Sequence, residues 1–374
     1  MDFENLQKII GLRHKLHQNA ELSGKEEKTQ RILQEFLAEN TSLKIVQKNG
    51  WFYAIKKGSG KKSPVAFRAD MDALPIPESL ALPYASQNPG VSHKCGHDGH
   101  MAALCGFACE LEKIAPENLA RDVYLVFQPA EEIGAGAKIC AEEIFKLGVR
   151  EVYAYHNLPG YKEGSVVYRP GETQPASEGF SIFIKGRESH AAYPEQGANP
   201  GILLSELIKY AANLPQIINS DGMCLCTLVY ANLGSKNMGI SAGNAVLTCT
   251  LRAEKEDDMF KMENLLKKMA ENLAKSQFQL SYQVDDYFPG TKNTELALKK
   301  VLQSAKNLGL ATICQEKMWR ASEDFGYYTK KMDGAIFYLG DGENYPDLHT
   351  VNYDFNDKIL ENAVNMFLGI LQID

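Results

Sequence analysis

The sequence predicts an α/β fold: a mostly parallel-sheet domain interrupted by a ferredoxin-like α+β domain. Three observations predict it. Short apolar runs without polar alternation (Val65–Phe67, Val123–Phe127, Val152–Tyr155) suit strands buried on both faces, as in a parallel sheet. Helical patterns lie between these runs, at His100–Ile114 and Ala137–Leu147, and strand alternating with helix is the α/β signature. After Pro175 the pattern changes to half-exposed strands and two helices in the order β-α-β-β-α-β, which is the ferredoxin-like unit.

The chain opens with apolar residues at helical spacing (Leu6, Ile9, Leu12, Leu16, then Ile32, Leu33, Phe36, Leu37), which predicts two helices broken near Ser23-Gly24. The three buried strands then run into polar residues: Asp70 and Asp72 after the first, Glu131-Glu132 after the second and His156 at the end of the third. In open α/β sheets, sites gather outside the carboxyl ends of the strands. The second domain is expected over residues 176–289. Its strands are 179–185, 223–230, 244–253 and 279–287, and its helices 200–218 and 257–275. Helix 294–308 and strand 335–339 return the chain to the first domain, expected over residues 1–175 and 290–374.

Composition excludes several classes. The 374 residues are 44% hydrophobic and 23% charged, the balance of a globular protein. The formal net charge of −7, with no basic run, argues against nucleic acid or anionic membrane as partner. No apolar run approaches the ~18 residues a membrane helix requires. The N-terminus MDFENLQKII lacks the basic and apolar regions of an export signal, so the eight cysteines are expected as reduced thiols in the cytoplasm.

The densest chemical cluster is His93-Lys94-Cys95-Gly96-His97-Asp98-Gly99-His100, which holds three of the eight histidines. Thiolate and imidazole are the usual ligands of zinc and related metals. Adjacent carboxylates such as Glu131 and Glu132 point different ways, so one can ligate a metal while the other takes a proton from water. Cys95, His97, Glu132, His156 and His349 make five candidate ligands. A catalytic zinc usually keeps three, so five suit two metals sharing a bridging group. Asp70, Asp72 and Asp98 are candidates to orient ligands. Cys105, Cys109, Cys224 and Cys226 read as small packed residues. Gly134-Ala135-Gly136 fails the dinucleotide spacing.

Taken together, the motifs resemble the M20 metallopeptidase/amidohydrolase family, in its N-acyl-amino-acid amidohydrolase and hippurate hydrolase branch. The matching pieces run in order: Leu16-His17 with Glu21-Leu22-Ser23, FRADMDALPI (67–76), HKCGHDGHMA (93–102), VFQPAEE (126–132), YHNLP (155–159), SHAAYPEQGANP (189–200), ASEDFGYY (321–328) and LHTVNYDFND (348–357). The resemblance implies a zinc-exopeptidase-like catalytic domain with two divalent metals (Zn, Mn, Co or Ni) held by Cys95, His97, Glu132, His156 and His349. Glu131 would be the general base, and Asp72 would orient a ligand. His190, in the inserted domain, would reach a neighbouring subunit's site and stabilise the oxyanion, and that domain would form a homodimer. The implied reaction is amide hydrolysis of a small N-acyl amino acid. An exopeptidase or dipeptidase with the same metals is the close rival, and a non-catalytic metal-binding protein the distant one. Ala20 and Gly239–Asn244 depart from the family pattern, which has proline at the first and Asn-x-Ile-Pro at the second. Arg252 and Arg320 are unassigned candidates for the substrate carboxylate.

Overall fold

A computed structural model describes residues 1–373; the final residue of the expected 290–374 segment lies outside them. The chain divides into two compact units: Met1–Thr173, Thr291–Met318 and the chain from Glu323 onward form the first, and Gln174–Gly290 with Trp319–Ser322 the second. Trp319–Ser322 thus groups with the second unit, outside the range 176–289 read from sequence.

In the first unit, helices α1 (Phe3–Gln18) and α2 (Glu27–Asn40) precede strands β1 (Lys44–Gln47), β2 (Phe52–Lys56) and β3 (Val65–Asp70). There follow α3 (His97–Glu112), β4 (Val123–Gln128), α4 (Ala137–Lys146), β5 (Glu151–Pro159), β6 (Val166–Tyr168) and β7 (Gly171–Gln174). The second unit contributes β8 (Ala176–Lys185), β9 (Ser189–His190), α5 (Gly201–Ile218), β10 (Cys224–Leu233), β11 (Ile240–Ser241), β12 (Asn244–Ala253), α6 (Glu256–Ala274) and β13 (Gln279–Phe288). The first unit ends with β14 (Thr291–Asn293), α7 (Glu295–Asn307), β15 (Thr312–Cys314), α8 (Gly326–Thr329), β16 (Asp333–Gly342) and α9 (Leu360–Gln372).

The first unit's sheet has the order β1-β2-β4-β3-β5-β16-β6-β15. Its centre, β4-β3-β5-β16, is parallel throughout, while β1, β2 and the β16–β6 pairing are antiparallel. Every residue of β3 and β4 is buried. Strands covered on both faces need no polar alternation, which is why their sequences read as plain apolar runs. Helix α3 lies between α1 and α9. A Cβ on Gly106 would stand 2.9 Å from Val364 and 3.0 Å from Ile9, so only glycine allows that approach.

The second unit's sheet has the order β10-β12-β8-β13, antiparallel at each step, with α5 and α6 supplying Leu207, Leu214, Met262 and Leu266 to its core. This is the ferredoxin-like arrangement. All eight cysteines are free, and among the described residues no helix is long and apolar enough to cross a membrane.

Candidate metal centre

The parallel strands carry their carboxyl ends to one edge of the first unit's sheet, and the candidate residues leave from that edge. Asp72 follows β3. Its Oδ2 accepts the Ser23 hydroxyl at 2.6 Å and the Glu132 backbone N–H at 2.9 Å. Its backbone oxygen lies 2.9 Å from His97 Nδ1. A carbonyl only accepts, so Nδ1 carries the proton and Nε2 is turned toward the acids. His97 Nε2 lies 3.7 Å from Glu132, 3.8 Å from Asp70 and 3.9 Å from Glu131. His97 opens α3 behind Gly96, whose φ of 97° lies in the left-handed region.

Cys95 Sγ lies 3.5 Å from His156 Nε2 and 3.2 Å from His349 Nε2. His156 sits inside β5, which runs on to Pro159 beside β16, rather than at the strand's end. Its Nδ1 faces the Asn157 carbonyl at 2.7 Å, which aims Nε2 at the thiol. His349 Nε2 is 3.6 Å from Glu132. The structure thus brings Cys95, His97, Glu132, His156 and His349 together with Glu131. Five groups have donor atoms mutually within 4.8 Å, and three of them consist of these residues alone: Cys95/His97/His156, Cys95/Glu132/His349 and His97/Glu131/Glu132; the other two are Asp70/His97/His100 and Glu131/Glu323/Asp324. Within those three, Cys95, His97 and Glu132 each appear twice, as residues lying between two adjacent ions would.

The electrostatics ask for cations. Burial, then Glu323, Glu132 and Asp324, hold the Glu131 carboxyl well above the usual carboxylate range. Burial lifts Glu132 to about 7, with His97 pulling it down and Asp72 pushing it up. Burial followed by Glu132 and Glu131 raises the Cys95 thiol. For His97, burial works downward, but Asp70, Asp72 and Glu132 outweigh it and hold the imidazole at about 10. The same acids that retain that proton would retain a metal cation in its place. His97 Nε2 and Glu132 Oε1, both buried, have no hydrogen-bond partner among the described residues. Orphaned donor atoms and a soft-plus-hard ligand set fit two divalent ions.

Other residues fall differently. Asp98 does not orient a candidate ligand: its Oδ2 forms an ion pair with Arg13, 3.0 Å from Nε, and lies 2.8 Å from His17 Nδ1, anchoring α1 to α3. Asp70 Oδ1 lies 2.6 Å from His100 Nδ1, and its Oδ2 pairs with Arg68 at 2.7 Å. Each nitrogen of His100 faces an acceptor, Asp70 or Asn157, so its ring supports the site from behind. Sequence reasoning missed Arg68, whose guanidinium also meets Glu323 at 2.8 Å and Asp324 at 3.0 Å. The signal was a charge inside the apolar run Val65–Asp70, which burial forces to find partners. Sequence reasoning also passed over Glu26 and Lys94. In the second unit, His190 is exposed on β9, paired in register with Ile240, and its Nδ1 accepts the Ala192 N–H at 3.1 Å. Arg252 donates to the Arg320 carbonyl and to Ser322.

Against this geometry stand the comparisons with known proteins. A model of peptidase family M20/M25/M40 matches residues 66–373. The chain is 32% identical over 362 residues to an N-acetyl-L-cysteine deacetylase of Bacillus subtilis, covering 95% of this chain and 85% of the relative. It is 30% identical over 367 residues to a hippurate hydrolase of Campylobacter jejuni, covering 95% and 94%. Among solved structures, a dinuclear metal-binding peptidase of the M20 family from Bacillus subtilis superposes with a TM-score of 0.85 at 26% identity, covering 99% of this chain and 98% of the other.

Proposed function

Because this chain belongs to peptidase family M20/M25/M40, we propose that it is a dinuclear metal-dependent amidohydrolase that splits N-acyl amino acids into a carboxylic acid and a free amino acid. The observation that carries the reading is the convergence of Cys95, His97, Glu132, His156 and His349 into overlapping donor groups that share Cys95, His97 and Glu132. These five residues would hold two divalent ions. Such ions polarise an amide carbonyl and lower the pKa of water toward ~7.

The chain's own residues supply the rest. Glu131 is the proton carrier: its carboxylate takes a proton from the attacking water and delivers it to the leaving amine. Its buried setting among acids favours the protonated form, which suits the delivery half of that cycle. Asp72 fixes His97 through its backbone oxygen and Glu132 through its carboxylate, so one residue sets the aim of two ligands. His190 donates to the developing oxyanion of a neighbouring subunit's substrate. A homodimer through the second unit is part of this reading. Strand β10 is a ten-residue sheet edge in this chain and exposes Leu228, Val229, Tyr230 and Leu233, the kind of edge that pairing covers. So is a reducing, cytoplasmic setting, since Cys95 ligates only as a free thiolate.

An exopeptidase or dipeptidase is the second reading, favoured by the likeness to the dinuclear peptidase structure. The test is metal analysis of purified protein joined to parallel assays on N-acetyl and N-benzoyl amino acids and on dipeptides. Two bound metals with faster turnover of the acyl amino acids support the proposal. Preference for dipeptides favours the second reading. Bound metal without hydrolysis of any amide overturns both.

A further inference from the structure

The candidate ligand His349 sits in poor circumstances for a fixed ligand. Its side chain is half exposed, its segment has no helix or strand, and its φ of 61° lies in the left-handed region that a non-glycine residue seldom keeps unaided. A ligand must be held to within a fraction of an ångström to be useful. The segment therefore needs tethers: Asn157 and Asp341 hold the Tyr353 hydroxyl, at 2.6 and 3.3 Å, and Lys94 holds the backbone.

Lys94 is fully buried. Its backbone carbonyl accepts the His349 N–H at 2.8 Å. Its ammonium donates to the Tyr353 carbonyl at 2.9 Å and pairs with Glu78 at 2.7 Å. One residue thus grips the segment 349–353 at both ends, and the same residue precedes Cys95, whose Sγ lies 3.2 Å from His349 Nε2. Glu78 is itself fixed: its Oε2 lies 2.7 Å from His17 Nε2, and its Oε1 takes the N–H of Leu80 at 3.1 Å. An ammonium out of water is costly unless paired, so this lysine is held on Glu78 and cannot relax elsewhere.

We propose that Lys94 is a positioning residue for His349, its ammonium tying the Glu78 carboxylate to the Tyr353 carbonyl so that the 349–353 segment keeps the imidazole beside Cys95 and Glu132. The proposal rests on the metal-centre reading given above and deepens it: the affinity of one of the two ions depends on a residue that touches neither.

The experiment is a double-mutant cycle read by metal binding. Co²⁺ alone is titrated into metal-free protein, with affinity measured by chelator competition and the thiolate ligand followed by its charge-transfer absorption. The variants are Lys94→Met, His349→Ala and the two combined. Lys94→Met is expected to weaken one Co²⁺ by about 10-fold and leave the other, as loss of an outer support does. In the His349→Ala background the same change is expected to cost less than about 2-fold, because the residue it positions is gone. Glu78→Gln combined with Lys94→Met removes both buried charges, so an unpaired acid cannot unfold the protein, and this variant must show the same weakening. Unchanged affinity in the folded variants, or an equal loss with and without His349, overturns the proposal. Wild-type protein that takes up no Co²⁺ overturns the metal-centre reading itself, and the role of Lys94 with it.

Discussion

The Glu26 carboxylate accepts the backbone N–H of Ala130 at 2.8 Å, reaching across 104 residues to the position just before the Glu131-Glu132 pair. Ala130 has a φ of 52°, so the turn that presents the two acids runs through a left-handed alanine. The same Glu26 oxygen takes the Gly24 N–H at 2.9 Å. Glu26 thus holds a conformation that the local sequence disfavours by about 1–2 kcal/mol.

From that contact, Glu26→Ala is expected to strand two N–H groups at a cost of about 1–3 kcal/mol each and to lower kcat along with thermal stability. Glu26→Gln keeps an acceptor oxygen and is expected to lose much less of both. Paired measurements of kcat/KM and Tm on the two variants decide it; Glu26→Ala with wild-type turnover would show that Ala130 holds its turn alone.

Glu131→Gln separates proton transfer from metal holding. The amide cannot take the water's proton, yet none of the five candidate ligands is touched. The expected outcome is a fall in kcat/KM of about 10²–10⁴ with metal content unchanged. Loss of metal in parallel with activity would instead make Glu131 a ligand.

How far the sequence carried depended on whether a signal was local. Strands β3, β4 and β5 were readable because burial on both faces leaves a run of apolar residues. Helix α3 starts at His97 rather than His100, since its cap is Gly96 in a left-handed conformation with no side-chain hydrogen bond to announce it. Strands β1 and β2 went unread: each is short, and their partners are set only by the sheet. Cys95 and His97 were visible as neighbours. That His349 joins them rests on the tether from Lys94, 255 positions away, and Asp98 looked like a ligand support only until Arg13 and His17 were seen to claim it. Arg68 could be flagged as a misplaced charge, but its partners Glu323 and Asp324 lie 255 and 256 residues off.

Arg68→Met tests that buried network. The change would leave Asp70, Glu323 and Asp324 without their shared cation, all of them buried. Breaking a buried ion cluster by removing one partner typically costs about 3–5 kcal/mol. Denaturant unfolding is expected to show a loss of that size, and a loss under about 1 kcal/mol would mean the acids hold protons instead of charge.

Gly96→Ala addresses the turn between Cys95 and His97. The new Cβ would meet Asn157 Oδ1 at 2.4 Å, the atom that faces His100 Nε2, and φ 97° strains any side chain. Gly148 offers a matched control: its φ is 92° and nothing lies within 4 Å of an added Cβ. Both alanine variants are expected to lose about 1–2 kcal/mol to backbone strain. Only Gly96→Ala is expected to lower metal content as well, measured by elemental analysis. Equal metal content in the two variants would dissociate this turn from the centre.

The second unit carries a pH dependence of its own. Glu178 is 2% exposed, its Oε1 has no hydrogen-bond partner among the described residues, and burial, followed by the nearby Glu263, lifts its carboxyl to about 7 while Lys267 pulls weakly down. An unfolded glutamic acid titrates near 4.3. Between those values the folded chain binds the extra proton, so stability falls as pH rises through the window. Below it both states are protonated and the group is neutral in effect; above about 7 the full cost of a buried charge is present, on the order of 1–3 kcal/mol. Glu178→Gln removes the charge and nearly keeps the volume. The variant is therefore expected to melt higher than wild type at pH 8, with the gap narrowing through the window and closing below about pH 4. Melting curves shifted equally at pH 8 and pH 4 would mean that packing, not ionisation, sets the difference.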